Sequence, residues 1–356
     1  MQCAGKERDR AGGIIRSKRF VERGAVATIK DVAKLAGVSV STASVALNGR
    51  GPVSEATRQR VKEAALALRY RPNAVARSLV TRRTRSIGLV LADLTDPYFH
   101  GVAKGIEAVA SASGYTVLLA DTDRSPAKEE RSLETLLCRQ VDGLILAGSA
   151  GENGGSLSWL KTSQVPVVTV GRYSEAFPAV SADNTGAGRL VAEHLVREGY
   201  RRIGFIGGPP GLRVSVERCQ GFCTALREAG FEPLCSAPGD FTPAGGYQAA
   251  KALLANGAER PEAIVAANDQ MAIGVLKAVK EAGLQVPDDV AVAGIGDVAT
   301  AVYTDPPLTT VALPLREMGE RAARMLLRLI EGEAAPEQPL VLPVTLKVRA
   351  STRRGG

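Results

Sequence analysis

The spacing of apolar and polar positions changes character along this chain. Between residues 27 and 70 it is that of short helices. Thr28 is placed to cap a helix over residues 29–36, with Asp31 three positions on as the reciprocal acid. Val32, Ala33, Leu35 and Ala36 form its expected apolar face, and Gly37 supplies a tight turn. Ser39 then caps a second helix over residues 40–47, with Ala43, Ala46 and Leu47 facing inward, and Asn48-Gly49 brings turn chemistry at its end. A third helix opens at Ser54 and carries Val61, Ala64, Ala65 and Leu68 at helical spacing. Three short helices, the first two joined through a glycine, predict a helix-turn-helix unit over 27–71.

Pro72 stops the third helix, and Asn73 can cap a short one over 74–80. Ala76 and Leu79 share one face of it, but a helix of that length is unstable alone. Residues 72–86 therefore read as a conditional hinge helix and basic connector. From residue 87 to about 350, short apolar runs alternate with amphipathic helices. The runs are 87–92, 116–120, 143–147, 166–170, 202–207, 263–267 and 290–295; the helices between them include 99–113, 127–138, 186–198, 216–229, 246–256 and 271–282. Such alternation predicts an α/β body of two doubly wound parallel sheets, arranged as two lobes with a cleft between. Residues 1–26 fit neither domain and read as a disordered or mis-started extension, with 351–356 a tail.

Charge sharpens this division. The chain carries a net +8, yet residues 1–85 hold 19 Lys and Arg against 6 Asp and Glu, a balance of +13, leaving −5 for the rest. A basic head on an acidic body is the electrostatic pattern of nucleic-acid binding. By position, the second helix would enter the major groove with Val40, Ser41, Ser44 and Val45 exposed, the hydroxyls reaching base edges or phosphates and the valines thymine methyls. The five cysteines, an odd number without paired metal spacing, suit a reducing cytoplasm, with Cys219 and Cys223 read as buried thiols.

The run TIKDVAKLAGVSVSTASVALNG, followed by VSEATRQRV, RPNAVARSL and TRSIGLV, resembles the lactose-repressor (LacI/GalR) family of bacterial regulators. The likeness covers about residues 27–350. It implies a periplasmic-binding-protein-like body, and DNA contacts at Thr28, Ser41, Ser44, Asn48 and Ser54. It also assigns Leu79 as an apolar wedge in the minor groove, with Asn73 at the head of the hinge helix and Ala76 and Arg77 beside the wedge. Where Val45 stands, family members often carry Arg, so a bidentate guanine contact is missing here.

Ligands of doubly wound sheets sit at the carboxyl ends of strands. Tyr98 and Phe99 follow the first predicted strand, Arg172 the fourth, a glycine-proline loop over 207–211 and then Arg218 the fifth, Asn268 and Asp269 the sixth, and Asp297 the seventh. These groups, with Phe241 as a stacking face, suit a sugar, nucleoside or purine. The resemblance favours ligand contact over helix capping for Arg218, Asn268 and Asp269. In AGIGDV (293–298), Gly296 replaces the first of two acids common in relatives, so no single relative's ligand carries over.

Enzyme chemistry is poorly represented. There is no Walker GxxxxGK[ST] and no GxSxG, and the two histidines, His100 and His194, lack metal spacing; no cofactor or metal is implied. No apolar run reaches the roughly 18 residues of a membrane helix. Apolar positions within 304–332, from Met318 to Leu329, read as core rather than interface. With no C-terminal heptad repeat, a homodimer on pseudo-palindromic double-stranded operator DNA is expected, controlled by a small effector, with a sugar favoured. The competing reading is a soluble sugar-binding protein with an incidental basic head.

Overall fold

The computed structural model describes residues 27–48, 51–71, 83–148, 159–171, 176–234, 236–255 and 260–353. The chain divides into two compact units, Met1–Val80 and Thr81–Gly356. In the first, α1 (Ile29–Ala36), α2 (Val40–Asn48) and α3 (Glu55–Ala67) fall where the caps place them. The Thr28 backbone N–H and hydroxyl both donate to Asp31 Oδ2, at 2.9 and 2.7 Å. Those bonds hold the Asp31 carboxyl below its ordinary pKa. Gly37 takes φ 65°, the left-handed turn that a side chain would resist. The core is made of small residues, Val32, Ala33, Ala43, Ala46, Val61, Ala64 and Ala65, with Ile29 packed against it. Leu35 does not join it: 57% of its surface is exposed. Ile29, Val32, Ala33 and Ala36 complete the i, i+3, i+4, i+7 stripe, which leaves Leu35 on the flank.

The second unit contains two six-stranded sheets. In one the strand order is β11-β5-β4-β3-β1-β2, in the other β12-β10-β9-β8-β6-β7. The first comprises β1 (Ser86–Leu91), β2 (Thr116–Asp121), β3 (Gly143–Ala147), β4 (Val167–Val170), β5 (Ala179–Ala182) and β11 (Leu340–Leu342). The second comprises β6 (Ile203–Gly207), β7 (Ser236–Pro238), β8 (Ala263–Ala266), β9 (Ala291–Gly296), β10 (Thr309–Ala312) and β12 (Thr345–Lys347). All pairings are parallel except β10 with β12. Every residue of β3, β4 and β8 is buried, which is why these strands read as unbroken apolar runs. Five strands went unpredicted: β5, β7, β10, β11 and β12. Each has only three or four residues, and β10 opens on two threonines, so none offers a run long enough to see.

The helices are α4 (Pro97–Ala112), α5 (Pro126–Cys138), α6 (Asn184–Arg197), α7 (Arg213–Glu228), α8 (Pro243–Leu254), α9 (Asp269–Glu281) and α10 (Leu315–Ile330). Helix α10 buries Met318, Ala322, Met325 and Leu326, while Leu329 packs at the edge of the same core. Helices α6 and α7 approach closely through two glycines. A Cβ on Gly188 would lie 2.0 Å from the Arg218 carbonyl oxygen, and one on Gly221 2.0 Å from that of Thr185.

The chain passes between lobes three times: after β5 into α6, after β10 into α10, and from β11 into β12. The crossings are joined sideways. Asp183 N–H donates to the Leu342 carbonyl at 2.9 Å, and Ala312 pairs with Thr345. The last turn, Ala350–Thr352, is stitched into the second lobe: Ser351 Oγ donates to the Val292 carbonyl at 2.6 Å, and Thr352 Oγ1 lies 2.8 Å from both Thr309 Oγ1 and His194 Nε2. His194 is thus a buried network member, and burial pushes its imidazole pKa down.

Candidate nucleic-acid interface and effector cleft

In the head, the burial of Ala43 and Ala46 on α2 leaves Val40 and Ser41 exposed and Ser44 and Val45 half-buried on the outer side. The hydroxyls are held locally: Ser39 Oγ lies 2.8 Å from Ser41 Oγ, and Asn48 Nδ2 donates to Ser44 Oγ at 3.3 Å. Ser54 caps α3 by accepting from Thr57 N–H at 3.3 Å. Val45 leans on Gly51, whose hypothetical Cβ would come within 2.8 Å of Val45 Cγ1. Arg58, which the sequence did not single out, donates to the Ala46 carbonyl at 3.3 Å and ties α3 to the end of α2. A short helix is thereby presented with a row of small polar and apolar groups outward, the shape and chemistry that fit a major groove.

In the body, the carboxyl ends of both sheets bring charged and aromatic groups together. On the first lobe Asp96 caps α4, accepting from Tyr98 N–H at 3.0 Å. Arg124, just past β2, donates to Asp93 at 3.3 Å and to Asp96 at 3.2 Å. Its guanidinium also lies 5.7 Å from the centre of the Phe241 ring, which belongs to the other lobe. Burial raises the Asp96 carboxyl pKa and pushes the Tyr98 phenol up to about 12, so Tyr98 is a neutral donor at any working pH. On the second lobe Phe241 has φ 66°, a backbone conformation costing about 1–2 kcal/mol for a side-chain-bearing residue. Asn268 Nδ2 steadies it by donating to the Phe241 carbonyl at 3.0 Å. The ring lies over Gly208, where a Cβ would sit 2.2 Å from Phe241 Cζ; only glycine fits. Arg218 is 5% exposed and donates through Nε to Asn184 Oδ1 at 3.0 Å and through Nη1 to the Ala267 carbonyl at 2.6 Å. A cavity of about 210 Å³, whose lining includes none of Tyr98, Arg218 and Phe241, is bounded by Gly171, Asp183, Asn184, Arg213, Glu217 and Val341, from both lobes.

Residues 28–73 match the model of bacterial regulatory proteins of the lacI family, and residues 192–352 that of a periplasmic binding protein-like domain. The HTH-type transcriptional repressor CytR of Escherichia coli (strain K12) is 34% identical over 331 residues, covering 92% of this chain and 96% of that one. This chain belongs to the lacI family. Another relative, the HTH-type transcriptional regulator CelR of Thermobifida fusca, is 38% identical over 342 residues, covering 93% of this chain and 100% of that one. Among solved structures, the lac repressor dimer bound to operator and the anti-inducer ONPF matches with a TM-score of 0.84 at 30% identity, over 93% of this chain and all of that one. A CelR–cellobiose complex matches with a TM-score of 0.70 at 36% identity, over 91% and 99% of the two chains.

Within this lacI-family framework the expected cleft residues separate into groups. Tyr98 and Arg218 lie within electrostatic reach of each other, and Phe241 faces Arg124, which is bonded to Asp96 at the head of the helix that carries Tyr98. Phe99 is a correction: at 4% exposed it is packed edge-on against Tyr98 and beneath Gly148, so it is core. Asn268 is a cap, its Oδ1 accepting from Met271 N–H at 2.9 Å while its other amide atom holds Phe241. The preference for ligand contact over capping there gives way to a role in shaping the loop. Asp269 is 1% exposed and accepts from Val298 N–H at 2.9 Å and Thr310 Oγ1 at 2.5 Å; burial pushes its carboxyl up to about 6. Asp297 pairs with Arg349 at 2.5 Å. Cys219 and Cys223 are half-buried, with their sulfurs 3.8 Å apart, rather than fully enclosed. Asn73, Ala76, Arg77, Leu79 and Arg172 lie outside the described residues. Sequence reasoning missed Arg124, Asn184 and Ser215. Arg124 stands just beyond a strand's carboxyl end and was open to the same rule that found Tyr98; Asn184 follows an unseen strand, and Ser215 has no sequence signal.

Proposed function

We propose that this chain is a homodimeric repressor that binds pseudo-palindromic operator DNA through the outer face of α2 and is controlled by a small molecule held between its two lobes. The observation that carries the reading is the joining, in one chain, of an α2 face left outward by an alanine core with a two-lobed cleft that brings Tyr98 of one lobe within electrostatic reach of Arg218 of the other. Residues 27–71 would act as the DNA-binding domain, 72–86 as a hinge that orders when two heads engage DNA, and 87–350 as the effector-binding and dimerisation domain. A solved relative supports a sugar effector: the CelR complex holds cellobiose. Arg124 reaching Phe241 from the opposite lobe supports a cleft whose closure depends on what fills it. Regulation then requires the effector to bind one lobe arrangement better than the other, shifting operator affinity by that difference. Regulators of this family are not enzymes, and among the described residues no helix is long and apolar enough to cross a membrane. The proposed site of action is the bacterial cytoplasm, on the chromosome.

The test is binding of the full chain to its own upstream DNA across a salt series, with and without candidate effectors. A slope of several units in log salt and a tenfold or larger effector shift support the reading. Salt-insensitive, sequence-indifferent binding unaffected by any small molecule sinks it. Hydrogen exchange at Leu79 and its neighbours, compared free and on operator, tests the hinge; equal protection in both states counts against it.

A further inference from the structure

Cys219 and Cys223 form a pair that DNA and effector binding leave unused. They stand four residues apart on α7, the spacing at which a helix stacks two side chains on one face. The same spacing brings two histidines of a helix to a single zinc ion. The two sulfurs lie 3.8 Å apart. Both residues are half-buried and packed against the main core of the body, so neighbours hold them while solvent still reaches them.

Two chemistries suit adjacent thiols, and the geometry separates them. A disulfide needs its Cβ atoms about 3.5–4.5 Å apart, whereas an intact helix holds those of residues i and i+4 at about 5–6 Å. Closing that bond would distort this turn of α7, and the turn is pinned. Gly221, between the two cysteines, lies so close to α6 that a Cβ there would be 2.0 Å from the Thr185 carbonyl oxygen. Arg218, one position before the pair, is bonded to Asn184 and Ala267. A bridging ion asks nothing of the backbone. A tetrahedral ion bonded to two sulfurs at about 2.3 Å holds them about 3.8 Å apart, the separation already present.

We infer that Cys219 and Cys223 form a dithiolate chelate for a closed-shell, thiophilic cation of the zinc class. On binding, the ion displaces one proton from each thiol and forms two metal–sulfur bonds, with no change of oxidation state. Burial and the neighbouring sulfur push the Cys223 thiol up to about 11, so the ion has a proton to displace there. Arg227 and Glu232, the charged groups that act on Cys223, pair with each other at 3.4 Å. Among the described residues no group of three histidine, cysteine or carboxylate side chains is placed to hold a metal. The ion's remaining positions therefore fall to solvent or to a small thiol, which makes binding reversible, unlike a closed four-ligand structural site. Once bound, the ion clamps consecutive turns of the helix that carries Arg218. The inference stands independently of the regulatory reading.

The experiment is titration of the reduced full chain with cadmium in thiol-free buffer, followed by the ultraviolet thiolate-to-metal charge-transfer absorption, with zinc as competitor. It is run on the parent, on Cys219→Ser, on Cys223→Ser, and on a combined Cys3→Ser, Cys138→Ser, Cys235→Ser variant that keeps only the pair. The combined variant is expected to bind one ion through two thiolates and to release it to zinc. Cys219→Ser and Cys223→Ser should each bind at least about tenfold more weakly, since losing even an outer partner of a metal ligand costs that much. The parent alone gives a second reading: cadmium should shield Cys219 and Cys223, but not the exposed Cys138, from alkylation by iodoacetamide. No charge-transfer band in the combined variant, an undiminished band in both single variants, or equal alkylation with and without the ion overturns the inference. So does ready formation of a Cys219–Cys223 disulfide by oxidised glutathione in the folded chain, which would show that this turn of α7 gives way.

Discussion

Replacing Gly188 by alanine sets two known effects against each other, and the structure decides between them. In the interior of α6 the change removes glycine's backbone freedom, which favours the helix by about 1 kcal/mol. Against that, the new Cβ would lie 2.0 Å from the Arg218 carbonyl oxygen and 2.8 Å from the Phe222 backbone nitrogen. Both are backbone atoms of α7, with no side chain free to swing away. Restoring ordinary contact requires the helices to part by more than an ångström, and overpacking of this kind costs about 1–3 kcal/mol or more. The net is a loss of roughly 1–2 kcal/mol, or several degrees in Tm at about 2–4 °C per kcal/mol for a domain of this size. The functional cost is larger, because the same helix pair carries the 3.0 Å bond from Arg218 Nε to Asn184 Oδ1. Once α6 and α7 separate, the guanidinium loses its tether. Thermal unfolding and effector titration of Gly188→Ala should therefore show a modest fall in Tm beside a disproportionate loss of effector affinity, with operator binding by the unliganded chain retained. Gly221→Ala, which meets the Thr185 carbonyl oxygen at 2.0 Å from the other side, should behave alike. An unchanged or raised Tm with full effector response would show that the two helices have slack, and would refute the argument.

Asp269→Ala should destabilise the body by roughly 2–4 kcal/mol, since it strands the Val298 N–H and the Thr310 hydroxyl in a buried place, whereas Asp269→Asn should recover most of that; equal urea midpoints for the two variants would contradict the assignment. His194 has a folded-state pKa below its ordinary 6.5, so the unfolded chain takes the proton first. Its contribution is fully present above about pH 6.5 and is lost as the pH falls below it. Urea melts at about pH 7.5 and about pH 5.5 should show an acid-side loss that His194→Gln reduces; an identical pH dependence in the two proteins would rule the imidazole out. Thr28→Ala removes the hydroxyl's bond to Asp31 while leaving the backbone N–H bond in place, and should cost the head about 0.5–1 kcal/mol, seen as faster amide exchange in α1 with the body's melting unchanged.

The head was legible almost residue by residue because its information is local. Thr28, Gly37 and Ser54 mark helix ends by chemistry that acts within four residues, and all three do what their positions announced. The body's central strands were legible for a different reason: burial on both faces leaves β3, β4 and β8 no polar position. What failed was everything set by partners distant in sequence. β11 is a strand only because β5, some 160 residues earlier, offers it an edge. Asp297 was read as a ligand group, yet it answers Arg349, and Phe99 stands beside Tyr98 in sequence but turns beneath Gly148. Arg218 was found by position and resemblance, but that its guanidinium is buried and held by the neutral oxygens of Asn184 and Ala267 follows only from the fold. The cleft's membership was thus partly readable; the bonds that hold each member in place were not.

The three crossings between the lobes have a mechanical consequence. A single connecting strand would behave as a swivel, leaving the lobes free to twist, slide or tilt. Three segments laced side by side, through Asp183 to Leu342 and through Ala312 to Thr345, behave as a strap hinge: bending across the strap stays cheap, while twisting shears the lacing. A molecule settling in the cleft can then produce essentially one kind of movement. A pull of arbitrary direction is rectified into a tilt, and a one-dimensional signal of that sort is what a reader of fixed half-site spacing is able to use.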